Sequence, residues 1–390
     1  MIWEVFISMI LNNEQKNAVY TEEPYVFLLA GAGSGKTRVI VERIKYLISK
    51  GVRKEDILCI TFTKKAALEM EERLIDTSVS VYTFHGYCYE LLAKNKSIKL
   101  FEYNNEFLEN DILKIANYKN SLGKIKKPSI YDRYQTYLKS RGLVDFDDLL
   151  IEALDEVKYH TYQYIFVDEF QDTNLLQFKL LETMLHPNVS FFAVGDPDQS
   201  IYGFRGARYE LITYFLEKYQ AKLLKLERNY RSTNAILDVS NRLIKKNINR
   251  IKKTLKGDKT IDVKPIIWIG SVESIEVKIV QTIKKHKYFD AVILYRNHYQ
   301  AVRLKQILKR NYLFNVRLMS FHESKGLEFE TVFIIGMESL PFDKDPMYKN
   351  EEEERRLLFV GLTRAKTNLF IVTTRKTQWI KDLRLDVLYI

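Results

Sequence analysis

The stretch Leu28-Leu29-Ala30-Gly31-Ala32-Gly33-Ser34-Gly35-Lys36-Thr37 constrains this chain more than any other. An apolar run, Val26 to Ala30, precedes it and reads as a buried strand. Val39, Ile40, Arg43, Ile44, Leu47 and Ile48 follow at helical spacing. A glycine-rich loop between a strand and a helix is the setting a phosphate-binding loop requires. Glycines let backbone N–H groups turn onto an anion without a Cβ clash. The helix N-terminus adds partial positive charge. In such a loop Lys36 reaches the β- and γ-phosphates of a nucleotide and the Thr37 hydroxyl holds Mg²⁺. The strict pattern opens on Gly; Ala30 stands there instead, which the looser form accepts.

The length, 390 residues, suits two to three domains. Lys and Arg outnumber Asp and Glu by 61 to 50, and the net charge of +11 suits a polyanionic partner such as nucleic acid. On charge alone, a soluble protein from a lysine-rich proteome is the second reading. Two cysteines, Cys59 and Cys88, with no Cys-x-x-Cys pair, argue against a disulfide scaffold or a zinc site. The histidines at 85, 160, 186, 286, 298 and 322 show no ligand spacing. No apolar run reaches the roughly 18 residues of a membrane span. Met1 to Ile10 is apolar but lacks the features of a secretory signal, so a capping strand or upstream extension is expected, with Met9 a possible second start. A reducing cytoplasm and no membrane partner are expected.

Along the chain, Leu11 to Tyr20 reads as a short helix whose Gln15 amide can grip both edges of an adenine. Ile57 to Phe62 and Val79 to Phe84 read as strands, each followed by a helix. Phe62, Phe84 and His85 thus fall at strand carboxyl ends, where open α/β sheets bind ligands. With Lys64 and Lys65 nearby they suit base stacking and phosphate contact, although core packing serves Phe84 equally well. Leu92 to Gly142, rich in Lys, Asn and Tyr, reads as an inserted helical subdomain without a clear strand. Tyr164 to Val167 is a strand that ends in Asp168 and Glu169. In a nucleotide hydrolase the first carboxylate holds Mg²⁺ and the second polarises the attacking water. After the strand Val189 to Val194, Gln199 can reach a γ-phosphate, with Tyr202, Phe204 and Arg205 within reach of a second ligand. A basic run, Lys245, Lys246, Arg250, Lys252, Lys253 and Lys256, reads as a solvated face. Further strands at 265–269, 291–296, 316–320, 331–337 and 368–373 make a second α/β domain with no phosphate loop of its own. Arg231 and Arg364 in that domain carry guanidinium forks that can act in cis on a γ-phosphate if they project toward it, with surface salt bridges the second reading.

With these residues in hand, the chain resembles the UvrD/Rep/PcrA family of superfamily 1A DNA helicases. Nine motifs run in that family's order from Leu11 to about Thr374: the glutamine motif, Ala30–Thr37, Thr61–Met70, Thr83–His85, Val167–Asp172, Val194–Ala207, Leu226–Ser232, His322–Phe329 and Glu352–Lys366. The resemblance implies two RecA-like parallel-sheet domains of P-loop NTPase type, with a small helical insertion in the first. It implies that Gln15 contacts adenine, that Arg38 and Tyr230 sandwich it, and that Glu328 contacts the ribose. The phosphates would be bound by Ala30, Gly31, Ala32, Gly33, Ser34, Gly35, Lys36 and Thr37, with Gln199, Arg231 and Arg364 sensing the γ-phosphate. Phe62, His85, Tyr202, Phe204, Arg205 and His322 would line a single-stranded DNA channel.

The implied architecture is a 1A domain at 1–92 and 145–220, a 1B subdomain at 93–144 and a 2A domain at 221–390. Three departures stand out. Where the family has Tyr-Arg-Trp-Arg, this chain has Tyr202-Gly203-Phe204-Arg205, a smaller stacking face beside a more flexible residue. The family's large 2B insertion is expected to be absent near 304–317. No fused nuclease is expected. The implied activity is ATP-driven 3′ to 5′ translocation or unwinding on single-stranded DNA or a duplex with a 3′ overhang. The alternative is an ATP-gated DNA-binding subunit that needs a protein partner. An RNA-directed motor ranks lower, since stacking residues do not by themselves separate DNA from RNA.

Overall fold

A computed structural model describes residues 11–103, 105–261, 263–340 and 350–390. The readings made for Met1 to Ile10 fall outside the described residues. The chain divides into two compact units. One runs up to Ala30 and continues through Lys36–Asp196 and Tyr202–Leu226; the other comprises Gly31–Gly35, Pro197–Ile201 and Glu227–Ile390.

The first unit is built on six parallel strands: β1 (Tyr25–Ala30), β2 (Ile57–Thr61), β3 (Val81–Thr83), β6 (Tyr164–Val167), β7 (Ser190–Gly195) and β8 (Lys222–Leu226). Their order across the sheet is β3-β2-β6-β7-β1-β8. The interior strands are continuous apolar runs because helices cover both faces of a parallel sheet. β1 is buried from Val26 to Ala30. The helix Lys36–Ser49 returns over the sheet and buries Val39, Ile40, Val41, Ile44 and Leu47. Arg43 on that face is buried too. It donates to the carbonyls of Val19 and Thr21, both at 2.8 Å, which ties the phosphate-loop helix to the end of the helix Asn13–Tyr20. Burial lowers its pKa to about 10, so it stays charged.

Between β3 and β6 lie the helices Glu109–Asn120 and Tyr131–Arg141, with a small core of Phe107, Ile115, Tyr134 and Leu138. The segment expected to lack strands contains one two-residue strand, β4 (Lys99–Leu100), paired in parallel with β5 (Leu143–Val144). Two residues are too few to leave an alternating pattern in a sequence. Lys119 is buried here against Asp145 and Asp148 at 2.6 and 2.7 Å.

The second unit repeats the plan. After a short parallel pair, β9 (Arg228–Asn229) and β10 (Lys256–Gly257), come β11 (Ile266–Ile269), β12 (Val292–Tyr295), β13 (Arg317–Ser320), β14 (Phe329–Ile334), β15 (Ala365–Thr373) and β16 (Val387–Tyr389). Their order is β13-β12-β14-β15-β11-β16, all neighbours parallel. The five expected strands form within a few residues of their expected bounds. Edge strand β16 was not expected, because a half-exposed Val-Leu-Tyr carries no burial signature. Two parallel six-stranded sheets flanked by helices are the two RecA-like domains of the expected fold class. Among the described residues no helix is long and apolar enough to cross a membrane.

Candidate nucleotide and nucleic-acid site

Parallel strands put their carboxyl ends on one edge of a sheet, and ligands gather there. In the first unit, β6, β7 and β1 are neighbours: Val167 pairs with Ala193, and Leu29 with Gly195. The edge therefore carries the start of the phosphate loop beside Asp168 and Glu169. Asp168 is buried, and its Oδ1 accepts from the Glu169 N–H at 2.9 Å. Glu169 adopts a left-handed backbone, φ 52° and ψ 39°, which is rare for a residue with a side chain and concentrates at functional sites. This turns its carboxylate toward Lys36, whose Nζ lies 2.8 Å from Oε1. Burial disfavours the Lys36 charge, but Glu169 and Asp168 outweigh it and raise the pKa.

Gln171 is a residue that the sequence reading assigned no role. Its Nε2 donates to Glu169 Oε2, and its Oε1 accepts from the Asp196 N–H at 2.9 Å. A Cβ on Gly195 would stand 2.6 Å from that Oε1, so the glycine lets β7 approach Gln171. The order Asp-Glu-Phe-Gln was legible as a motif; the bridge it makes between two strand ends was not. Gln15 closes a capping box on the helix Asn13–Tyr20: Asn12 Oδ1 accepts from the Gln15 N–H at 2.8 Å, and Gln15 Oε1 from the Asn12 N–H at 3.1 Å. This fixes the side chain expected at adenine. Thr37 and Arg38 are partly buried on the first turn of the helix Lys36–Ser49.

The second unit holds the loop backbone. Asn229 Nδ2 donates to the Ala32 carbonyl at 2.5 Å and the Tyr230 N–H to the Gly33 carbonyl at 2.9 Å. Asn229 Oδ1 accepts from the N–H groups of Arg231 and Ser232. Gly33 has φ +66°, and a Cβ on it would lie 2.6 Å from Arg231 Cβ. Ser34 Oγ donates to the Gly31 carbonyl at 2.8 Å. Tyr230 is exposed, with the Arg228 guanidinium 5.6 Å from its ring centroid. Arg231 is brought to Glu328, Nε to Oε2 at 2.8 Å, and Lys366 Nζ takes Oε1 at 2.7 Å. Burial raises the Glu328 pKa, but Lys366 and Arg231 prevail and hold it below the ordinary value. Arg364 is fully buried and donates to Gln199 Oε1 at 3.1 Å and to the carbonyls of Val360 and Leu327.

The solvated reading of the basic run holds for Lys245, Lys246, Lys252 and Lys256, which are exposed, and is corrected at two positions. Arg250 and Lys253 are buried on the carboxylate of Asp198, a partner more than fifty positions earlier that no local pattern announces.

The aromatic residues expected at DNA gather in the first unit. Phe62 and Tyr202 stack with centroids 5.4 Å apart and planes 21° apart. Phe204 lies 6.2 Å from Tyr202, and the Arg205 guanidinium is 5.7 and 5.4 Å from the two rings. His85 meets Phe146 edge-on at 5.2 Å, and burial lowers its pKa to about 4, so it is neutral at pH 7. Phe62, His85, Tyr202 and Arg205 line a cavity of about 490 Å³ with Asn117 and Asp147. Phe84, for which stacking and core packing are equally expected, is 3% exposed, opens the helix Phe84–Ala93 and lines the same cavity. His322 stands partly buried just past β13 in the second unit. Among the described residues no cluster of three or more His, Cys, Asp or Glu could hold a metal ion.

Comparison with known proteins bears on these features. A family model described as an AAA domain matches residues 15–205, and one described as a UvrD-like helicase C-terminal domain matches 224–315 and 312–376. A probable DNA helicase of Mycoplasma pneumoniae is 32% identical over 93% of this chain and 83% of its own length. The ATP-dependent DNA helicases PcrA of Staphylococcus aureus and Staphylococcus epidermidis are each 34% identical over 77% of this chain and 50% of their own length. The chain therefore spans about half the length of the PcrA relatives it matches.

Proposed function

The chain belongs to the UvrD-like, PcrA-related family of superfamily 1 DNA helicases, and on that premise we propose that it hydrolyses ATP to move 3′ to 5′ along single-stranded DNA. One observation carries the reading: the phosphate-loop lysine, Lys36, is ion-paired to Glu169 beside the buried Asp168. A basic chain with a stacked aromatic cluster supplies the complementary DNA surface.

In this mechanism Gly31–Thr37 cradles the phosphates, and Lys36 transfers from Glu169 to a phosphate oxygen. Glu169, no longer neutralised, accepts a proton from the attacking water. Gln171 holds the second carboxylate oxygen and so aims it. A hydroxyl and a carboxylate, Thr37 and Asp168, are hard oxygen donors that suit Mg²⁺ shared with a nucleotide. When bound, that ion would neutralise charge on the phosphates. Gln15, Arg38, Tyr230 and Glu328 take the nucleoside, and Gln199, Arg231 and Arg364 respond to the γ-phosphate. Phe62, His85, Tyr202, Phe204, Arg205 and His322 take the strand. A duplex with a 3′ overhang is the natural substrate of such a motor.

We infer the domain plan 1A (1–92, 145–220), 1B (93–144) and 2A (221–390), without a 2B insertion near 304–317. The two matched stretches of the C-terminal family model, which meet at 312–315, support this. A chain lacking that insertion would also fit an ATP-gated subunit that unwinds only with a partner. The deciding experiment is ATP hydrolysis with and without single-stranded DNA, beside Glu169→Gln. Stimulation lost in the variant supports the motor; DNA binding without stimulation supports the gated subunit.

A further inference from the structure

The turn Pro197–Gln199 is pinned through two side chains by residues distant in sequence. Arg250 grips Asp198 with both arms of its fork, Nε to Oδ1 at 3.0 Å and Nη2 to Oδ2 at 2.6 Å. Lys253 Nζ donates to the same Oδ2. The three side chains are 1%, 7% and 1% exposed. Burial alone would push the Asp198 carboxyl up; Lys253 and Arg250 reverse this and keep it ionised.

Much of the segment that carries these cations is irregular, yet it is anchored along its length. The Asn241 side chain bonds both the N–H and the carbonyl of Leu255, at 3.1 and 2.9 Å. Glu352 Oε1 accepts from the N–H groups of Ile248 and Asn249 at 2.6 and 3.2 Å. Arg355 donates to Asn247 Oδ1 at 2.8 Å. Glu352 and Arg355 lie on the helix Glu351–Leu362, and just beyond its end Arg364 holds the Gln199 side chain. Lys325 Nζ donates to the Gln199 carbonyl at 3.0 Å. One helix thus frames both the cations on Asp198 and the arginine on Gln199. The same segment reaches the phosphate loop: a Cβ on Gly31 would stand 3.5 Å from Lys253 Cε.

A buried ion cluster is a poor source of stability, because well-packed apolar residues of similar volume do as well or better. What a bidentate fork supplies is direction. We propose that Asp198, Arg250 and Lys253 form a positioning cluster that fixes the backbone of Gln199, and so the aim of its amide, for ATP hydrolysis. This rests on the reading of Gln199 as the γ-phosphate sensor.

The test is DNA-stimulated ATP hydrolysis by the full chain carrying Lys253→Met, Asp198→Asn/Lys253→Met, Gln199→Ala, and each of the first two combined with Gln199→Ala. The Asp198→Asn/Lys253→Met pair keeps the cluster's net charge. Positioning predicts a kcat lowered about tenfold in both cluster variants, with KM for ATP within about twofold. Combined with Gln199→Ala they cause no further loss, since the cluster acts only through that residue. Losses that multiply overturn the proposal, as does wild-type kcat in the cluster variants when Gln199→Ala is impaired. A Gln199→Ala enzyme with wild-type kcat overturns the sensor reading itself, and the cluster proposal with it. Arg250→Lys, which keeps the charge and loses the fork, carries the test should the other variants fail to fold; an intermediate kcat with unchanged KM is expected, and wild-type kcat would refute the role.

Discussion

Lys36 and Glu169 are joined by an ion pair of 2.8 Å, so the group proposed to meet the phosphates and the group proposed to activate water restrain each other. ATP would separate them by offering Lys36 a stronger anion. Glu169→Gln should therefore lower turnover by about 10²- to 10⁴-fold, the usual worth of a general base, while ATP affinity is equal or tighter. Phosphate release measured beside binding of a fluorescent nucleotide checks both halves. Turnover near wild type would remove Glu169 from the chemistry.

Gly33 has φ +66° and faces Arg231 and Asn229 at 2.6 and 2.8 Å from any added Cβ. Gly33→Ala is expected to abolish ATP binding and lower Tm. Gly51 is the control, with φ +92° and nothing within 4 Å. Gly51→Ala should cost only the left-handed backbone penalty, about 1–2 kcal/mol, and leave hydrolysis intact. Thermal melts and nucleotide titrations of the two variants separate crowding from backbone strain.

The Phe62–Tyr202 stack predicts a division of labour at DNA. Tyr202→Ala should weaken binding to a single-stranded oligonucleotide by about 1–3 kcal/mol at every salt concentration, since stacking releases no counterions. Arg205→Ala should instead flatten the salt dependence by about one ion. Fluorescence anisotropy from 50 to 300 mM salt, on the order used for such titrations, distinguishes them; identical slopes would place Arg205 away from phosphate.

Burial, followed by the nearby Asp145 charge, raises the Asp147 pKa from 3.8 to about 7. A carboxyl raised on folding favours the native state while protonated in it. That advantage is complete below pH 4 and disappears as the pH climbs through 7. Asp147→Asn should thus leave Tm unchanged near pH 4, raise it progressively to pH 7, and hold the gain above. A constant gain across pH would mean that Asp147 titrates normally.

Much of this molecule could be read from its sequence because its strands are buried on both faces and appear as plain apolar runs. The phosphate loop was legible because only glycines tolerate its turns. What escaped were charges whose partners lie far along the chain. Arg250 and Lys253 look like any solvated lysine-rich stretch until Asp198 is beside them. Lys119, buried on Asp145 and Asp148, is the same case in the helical insertion. Gln171 stood in a recognised motif, but its function as a bridge depends on β6 lying next to β7. Local pattern reports burial well and long-range charge pairing poorly.

Strand β1 lies between β7 and β8, with Tyr25 opposite Phe191 and Val26 opposite Lys222. Both neighbours leave the ribosome long after β1 does. A nascent chain that stops short of Leu226 holds a finished loop sequence on a strand with an unpaired, apolar edge, the kind of surface that recruits chaperones or misassembles.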